Sequence, residues 1–158
     1  MDIAYIQSIE SYGLISISSV VPVAPHDDKP SRRLTKSERE AFSVPKELKE
    51  ILVGLLLGDL NAEKQKTSVN IRLRFIQGTI HIDYLEHLFK LFSDYCSSAP
   101  KIHNPAPDRR TGKVYSYAHF KTYSLVCFNE FYNLFYPAGK KVVPTNIEEL
   151  LTPLGLAY

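Results

Sequence analysis

Cysteine is scarce in this chain: Cys96 and Cys127 are the only two, far apart and without a CxxC spacing. That excludes a disulfide-built scaffold and leaves buried thiols in a reducing compartment as the simpler reading. No apolar stretch is long enough to span a bilayer, so no membrane partner is expected. Residues 12–25 lack charge, but they are serine-rich and broken by Pro22, and Asp2 stands where a secretory signal wants a base. The expected location is therefore the cytosol, the nucleus or an organelle that makes the protein itself. His81, His87, His103, His119 and Cys96 share no compact zinc spacing. A Gly-rich phosphate loop and a nucleophile elbow are also missing, which removes those nucleotide-binding and hydrolase classes.

What is present is enough chain, 158 residues, for one domain with a hydrophobic core. The net charge of +2 conceals an uneven distribution. Residues 61–121 hold ten bases (Lys64, Lys66, Arg72, Arg74, Lys90, Lys101, Arg109, Arg110, Lys113, Lys121) against five acids (Glu63, Asp83, Glu86, Asp94, Asp108). A regional excess of this kind favours a surface that meets a polyanion.

Residues 1–44 read as a leader, poorly ordered because of Pro22, Pro25, Pro30 and a run of mixed charges. The domain spans 45–151, opening at Pro45 in a helix start. Residues 48–57, LKEILVGLLL, predict a helix buried on most sides. Gly54 and Gly58 lie on one face of it. Each weakens a helix by about 1 kcal/mol relative to alanine, so close approach of a second helix is the expected reason for them.

An alternating strand follows, with Val69, Ile71, Leu73 and Phe75 inward and Ser68, Asn70, Arg72 and Arg74 outward. Thr79 is expected to cap a helix to about Tyr95, with Leu85, Leu88, Phe89 and Phe92 at core spacing. A short extended piece at 101–103 and a loop at 104–112 lead to a strand at 113–122. That strand sets Lys113, Tyr115, Tyr117, His119 and Lys121 against Val114, Ser116, Ala118 and Phe120. Ser124 is expected to cap a last long helix with Leu125, Phe128, Tyr132 and Phe135 inside. A short helical piece near 147–151 precedes Thr152-Pro153, a cap followed by proline that starts another helix at 152–158.

Asp59 is the prime candidate for chemistry. It follows an apolar helix at its C-terminal end, where the helix dipole disfavours a carboxylate. A bound cation would compensate it, and Mg²⁺ takes one or two carboxylates with water and phosphate. The plain alternative is a surface loop aspartate.

The string LVGLLLGDL, residues 52–60, resembles the signature helix of the LAGLIDADG homing endonuclease family. Leu52, Gly54, Leu55 and Asp59 match directly, and Gly58 stands where the family has a small residue. Leu57 replaces the first acidic letter and Leu60 the last glycine. The closing LTPLGLAY resembles the opening of the second signature helix in the single-chain, two-repeat branch, and KKVVP at 140–144 resembles the basic stretch before it.

The resemblance implies an α+β fold, an αββαββα unit whose concave antiparallel sheet faces DNA, ending inside the second signature helix. It implies a site-specific endonuclease of a mobile intron, dependent on Mg²⁺ or another divalent metal and hydrolysing phosphodiester bonds in duplex DNA. Asp59 becomes the catalytic metal ligand. Lys141, or else Lys140, stabilises charge on the scissile phosphate or positions water. The DNA contacts are Asn70, Arg72, Arg74, Gln77, Arg109, Arg110, Lys113, Tyr115, Tyr117, His119 and Lys121, and Gly54 and Gly58 form the helix-packing interface.

Such introns place the protein in a mitochondrion or another organelle. The second carboxylate is missing from the sequence, and three situations fit: a fragment whose remainder is lost or encoded separately, two copies paired through Gly54 and Gly58, or a decayed form that binds without cutting. Two other functions stay open, an intron maturase that binds RNA and a catalytically inactive DNA-binding module.

Overall fold

The computed structural model describes residues 33–158; residues 1–32, most of the expected leader, lie outside the described residues. Helix α1 (Lys36–Ala41) forms ahead of the expected domain start. Thr35 and Glu38 build a reciprocal cap there, the Glu38 amide donating to the Thr35 hydroxyl and the Thr35 amide to the Glu38 carboxylate. The Tyr95 hydroxyl then ties down the linker by donating to the Ser43 carbonyl at 2.7 Å.

Helix α2 (Lys46–Leu57) buries Ile51, Leu52, Val53, Leu55 and Leu56, as its uncharged run from Ile51 to Leu57 requires. Four strands follow as one antiparallel sheet: β1 (Asn61–Lys64), β2 (Ile71–Gly78), β3 (Lys101–His103) and β4 (Tyr117–Lys121), in the order β1-β2-β4-β3. Between them runs α3 (Ile82–Phe92), and after them come α4 (Asn129–Phe135), α5 (Ile147–Leu150) and α6 (Pro153–Leu156).

One sheet face makes the core. Leu73, Phe75, Ala118 and Phe120 are buried on it, with Leu85, Leu88 and Phe92 of α3 and Phe128, Phe131 and Phe135 of the last long helical segment. Phe75 stacks on Phe120 at 4.4 Å between ring centroids and meets Phe92 at 5.1 Å. Cys96 and Cys127 are free thiols, and burial pushes them up to about 12 and about 11, so neither is a ready nucleophile. No described helix is long and apolar enough to cross a membrane.

Several local expectations are corrected. Strand β2 starts at Ile71, so Val69 lies in the turn before it and is 84% exposed. Strand β4 starts at Tyr117, which leaves Lys113, Val114 and Tyr115 on an exposed, non-strand segment. Thr79 caps nothing: its hydroxyl donates to the Ser116 carbonyl at 3.4 Å, and a 3-10 turn over Thr79–His81 leads into α3. The Ser124 hydroxyl likewise goes to the Gln65 side chain at 3.2 Å. A 3-10 turn at Val126–Phe128 tightens the entry to α4 and shifts its phase, so Phe131 takes a buried position and Tyr132 stacks on Tyr136 at 5.0 Å.

Candidate functional site

Two places matter: the tip of α2 and the sheet face turned away from the helices. Helix α2 is held by a contact without side chains. A Cβ built on Gly54 would fall on the Gly155 carbonyl oxygen, and one on Gly155 would lie 2.6 Å from the Glu50 carbonyl oxygen. Helices α2 and α6 therefore meet backbone to backbone at Gly54 and Gly155, and no larger residue fits either place. Thr152 pins α6, accepting from the Gly155 amide at 3.2 Å and donating to the Glu50 carboxylate at 2.8 Å. Gly58 is not at this contact. It is the C-cap residue of α2, and the nearest atom to a Cβ there is 3.6 Å away. With α6 filling the Gly54 face, a second copy docking on that face would have to displace α6.

Asp59 follows that cap and is exposed. It lines a cleft of about 170 Å³ with Gln77, Tyr84, Leu88 and Tyr158 among the other walls. Burial raises the Tyr84 phenol above its ordinary value, with Tyr158 and Asp59 adding to it. The Tyr84 hydroxyl donates to the Tyr158 carbonyl at 3.0 Å.

Lys141 reaches the same tip. Its ammonium donates to the Gly58 carbonyl at 2.6 Å and the Leu60 carbonyl at 3.0 Å, a cation placed at the negative end of α2. Partial burial lowers its pKa, and the charge of Asp59 opposes that shift. One of its three N–H donors remains for an anion. Among the described residues no group of three acids, histidines or cysteines is arranged to hold a metal. Asp59 offers one exposed carboxylate at this tip, which fits a metal shared with ligands from elsewhere and not a self-contained cage.

The open sheet face is set by register. Asn61 pairs with Arg74 and Glu63 with Arg72; Arg74 pairs with Lys121 and Ile76 with His119; Lys101 pairs with His119 and His103 with Tyr117. Paired residues point the same way, so Arg72, Arg74, Tyr117, His119, Lys121, Lys101 and His103 share one surface. Tyr117 packs beside His103 at 5.0 Å and His119 at 5.9 Å between ring centroids. Burial first, then neighbouring Lys121 and Arg74, depresses the His119 pKa and favours its neutral form.

The two arginines are not free, however. Glu63 accepts from Arg72 Nε at 3.0 Å and Nη2 at 2.8 Å, and from Arg74 Nη1 at 3.2 Å. Burial would raise the Glu63 pKa, but the hydrogen bonds and charges of both arginines outweigh it and hold the carboxyl below its ordinary value.

The remaining expected contacts scatter. Asn70 precedes β2, and its side-chain oxygen accepts from Asn129 at 3.3 Å, so it is occupied with α4 instead of lying in the arginine row. Gln77 has the parity of Leu73 and Phe75, not of the arginines, and it stands in the Asp59 cleft. Arg109 and Arg110 are exposed on a loop that Asp108 organises, accepting from the Arg110 and Thr111 amides at 2.9 and 2.8 Å. Lys113 and Tyr115 are exposed beside that loop.

Glu63, Asn129, Tyr84 and Gly155 were not singled out from the sequence. Only Gly155 carried a signal, as a small residue just inside a predicted helix.

Comparison with known proteins agrees with this architecture. Residues 49–158 match the LAGLIDADG DNA endonuclease family. A cytochrome b mRNA maturase bI2 from Debaryomyces hansenii is 37% identical over 115 residues, 71% of this chain and 43% of that protein. Its namesake from Saccharomyces cerevisiae is 34% identical, over 68% of this chain and 27% of its own length. DNA endonuclease I-ChuI from Chlamydomonas applanata is 27% identical over 74% of this chain and 57% of its own. The chain thus spans between about a quarter and three fifths of these relatives. A solved structure of the homing endonuclease I-WcaI bound to its DNA recognition sequence shares the fold, with a TM-score of 0.68 and 24% identity over 74% of this chain and 50% of that one. The motif helix, the order of elements and the match over residues 49–158 agree: the chain belongs to the LAGLIDADG DNA endonuclease family.

Proposed function

We propose that this chain supplies the first acidic motif and one recognition sheet of a site-specific, metal-dependent DNA endonuclease. The observation that carries the reading is Asp59, an exposed carboxylate at the negative tip of a helix fixed by a glycine contact. A stability-driven sequence has no reason to put an acid there.

The residues fit Mg²⁺ as a shared ion. Asp59 would hold it together with a second acid from outside the described residues and with phosphate oxygens. Bound there, the metal supplies Lewis-acid polarisation of the phosphate and a more acidic water. The chain's own part is positional. Lys141 fixes the carbonyls on both sides of Asp59 and keeps one donor for the phosphate. The sheet face carries the duplex, with Tyr117, His119 and Lys121 beside the arginines and with Arg109 and Arg110 on the backbone. An organelle that carries the intron, such as a mitochondrion, is the fitting location.

The test is a supercoiled plasmid library with a randomised insert, incubated with Mg²⁺. The wild-type chain, supplied with a partner polypeptide that carries a second acidic motif, should nick a subset of inserts. Asp59→Asn should bind duplex within about twofold of wild type, yet nick at least about 100-fold more slowly, a loss of about 2.7 kcal/mol of transition-state stabilisation. Equal inactivity of both with binding retained would reduce the chain to a DNA-binding module.

A second reading has its own support, since two relatives above 30% identity are named mRNA maturases. In that reading the same basic face holds intron RNA. Affinities for duplex DNA and for intron RNA, compared at one salt concentration, decide between them, because phosphate contacts make both salt-sensitive.

A further inference from the structure

We propose that Glu63 is a positioning residue on the sheet face, holding Arg72 and Arg74 so that they read two bases two steps apart in duplex DNA. The inference rests on the DNA reading of this face and adds what sets its sequence preference.

A carboxylate in the middle of a surface meant for a polyanion opposes binding, since it repels phosphate and cancels one arginine charge. Its position is nevertheless specific. Glu63 stands directly across the ladder from Arg72 and diagonally from Arg74. One oxygen accepts both Nε and Nη2 of Arg72, and the other accepts Nη1 of Arg74. The side edge of the Arg72 guanidinium is thereby occupied, and its Nη1–Nη2 tip is left as the edge offered to a ligand. That tip is the fork that matches guanine O6 and N7.

Arg74 keeps Nη2, while its buried Nε has no hydrogen-bond partner in the free protein. The Nε is shielded from solvent, so Nη2 is the donor that Arg74 can turn toward a ligand. Residues i and i+2 of a strand lie about 6.6 Å apart. That is close to two base-pair rises of about 3.4 Å, so neighbouring outward arginines address positions two steps apart.

An arginine left loose would spend its charge on whichever phosphate is nearest. Held in a fork, it presents one edge in one direction, and the ordering is done before DNA arrives. Glu63 therefore exchanges affinity for discrimination.

The experiment uses the full chain with Glu63→Gln and Glu63→Asp. Two readouts are taken: affinity for a random-sequence 30-base-pair duplex across a salt series, and the sequences enriched from a randomised duplex pool. Glu63→Gln should bind the random duplex at least about threefold more tightly at low salt, with a salt dependence steeper by about one phosphate contact. Its enriched sequences should lose guanine preference at two positions two steps apart. Glu63→Asp keeps the charge but withdraws the carboxylate by one methylene. It should leave random-duplex affinity unchanged and still relax the preference, which separates geometry from charge.

Enriched sequences identical to wild type in both variants, with only a lower melting temperature, would make Glu63 an ordinary hairpin tie and overturn the proposal. Failure of the wild-type chain to bind any duplex would overturn the DNA reading itself, and this inference with it.

Discussion

The tip of α2 and the open sheet face handle charge in opposite ways. At the tip no ion pair to Asp59 forms among the described residues, and Lys141 beside it is committed to two backbone carbonyls. On the sheet, Glu63 pairs with two arginines, and the surrounding cations and rings all come from this chain. The first arrangement leaves its acid open to solvent, whereas the second is tied together by its own ion pairs. The contrast teaches that the sheet face is ordered by contacts within this unit, while the acid at the tip is left open to solvent.

The strongest way to break that contrast is to disturb the helix contact. Gly54→Ala forces a methyl onto the Gly155 backbone and should cost about 3 kcal/mol, a fall in melting temperature of about 6–12 °C. Lys113→Ala, on an exposed segment, should stay within about 0.5 kcal/mol. A Gly54→Ala protein that melts with wild type would show that α6 is not seated as described.

Lys141→Met comes next. It removes two charge-assisted bonds at a helix end that is partly open to water, so the expected loss is about 1 kcal/mol, read from urea unfolding midpoints. No change in the midpoint would remove Lys141 from the tip's architecture.

The smallest effect sharpens the electrostatics. Burial lowers the Lys141 pKa and Asp59 raises it back, so Asp59→Asn leaves the burial effect unopposed. Lys141 should then lose its proton at lower pH and be acylated faster at a fixed, mildly alkaline pH, while Lys121 on the sheet keeps its rate. Unchanged acylation of Lys141 would place the two groups too far apart to interact.

Legibility in the sequence followed the same division. Helix α2 was readable because ten consecutive residues are nearly all apolar, and Asp59 because it sits where helix electrostatics discourage an acid. Strand β1 was not localised: four residues, NAEK, with Ala62 alone buried, are too few for an alternation to show. Losing β1 also hid Glu63, which counted only as one opposing charge until the register set it across from Arg72. Asn70 was misplaced because the alternation was carried past the point where the strand begins. The parity rule applied as far as Gln77 would have put that residue with Leu73 and Phe75, in the cleft. The tight meeting of Gly54 with Gly155 needed the fold, since nothing local joins positions so distant along the chain.

That meeting has an evolutionary consequence. A single added carbon at either glycine collides with main chain, so neither position can drift alone, and accommodating any larger residue would require the opposing helix to move. A substitution at one glycine therefore needs a compensating shift of the other helix. A graft of α6 from a relative onto this body would succeed only when its backbone approaches α2 equally closely.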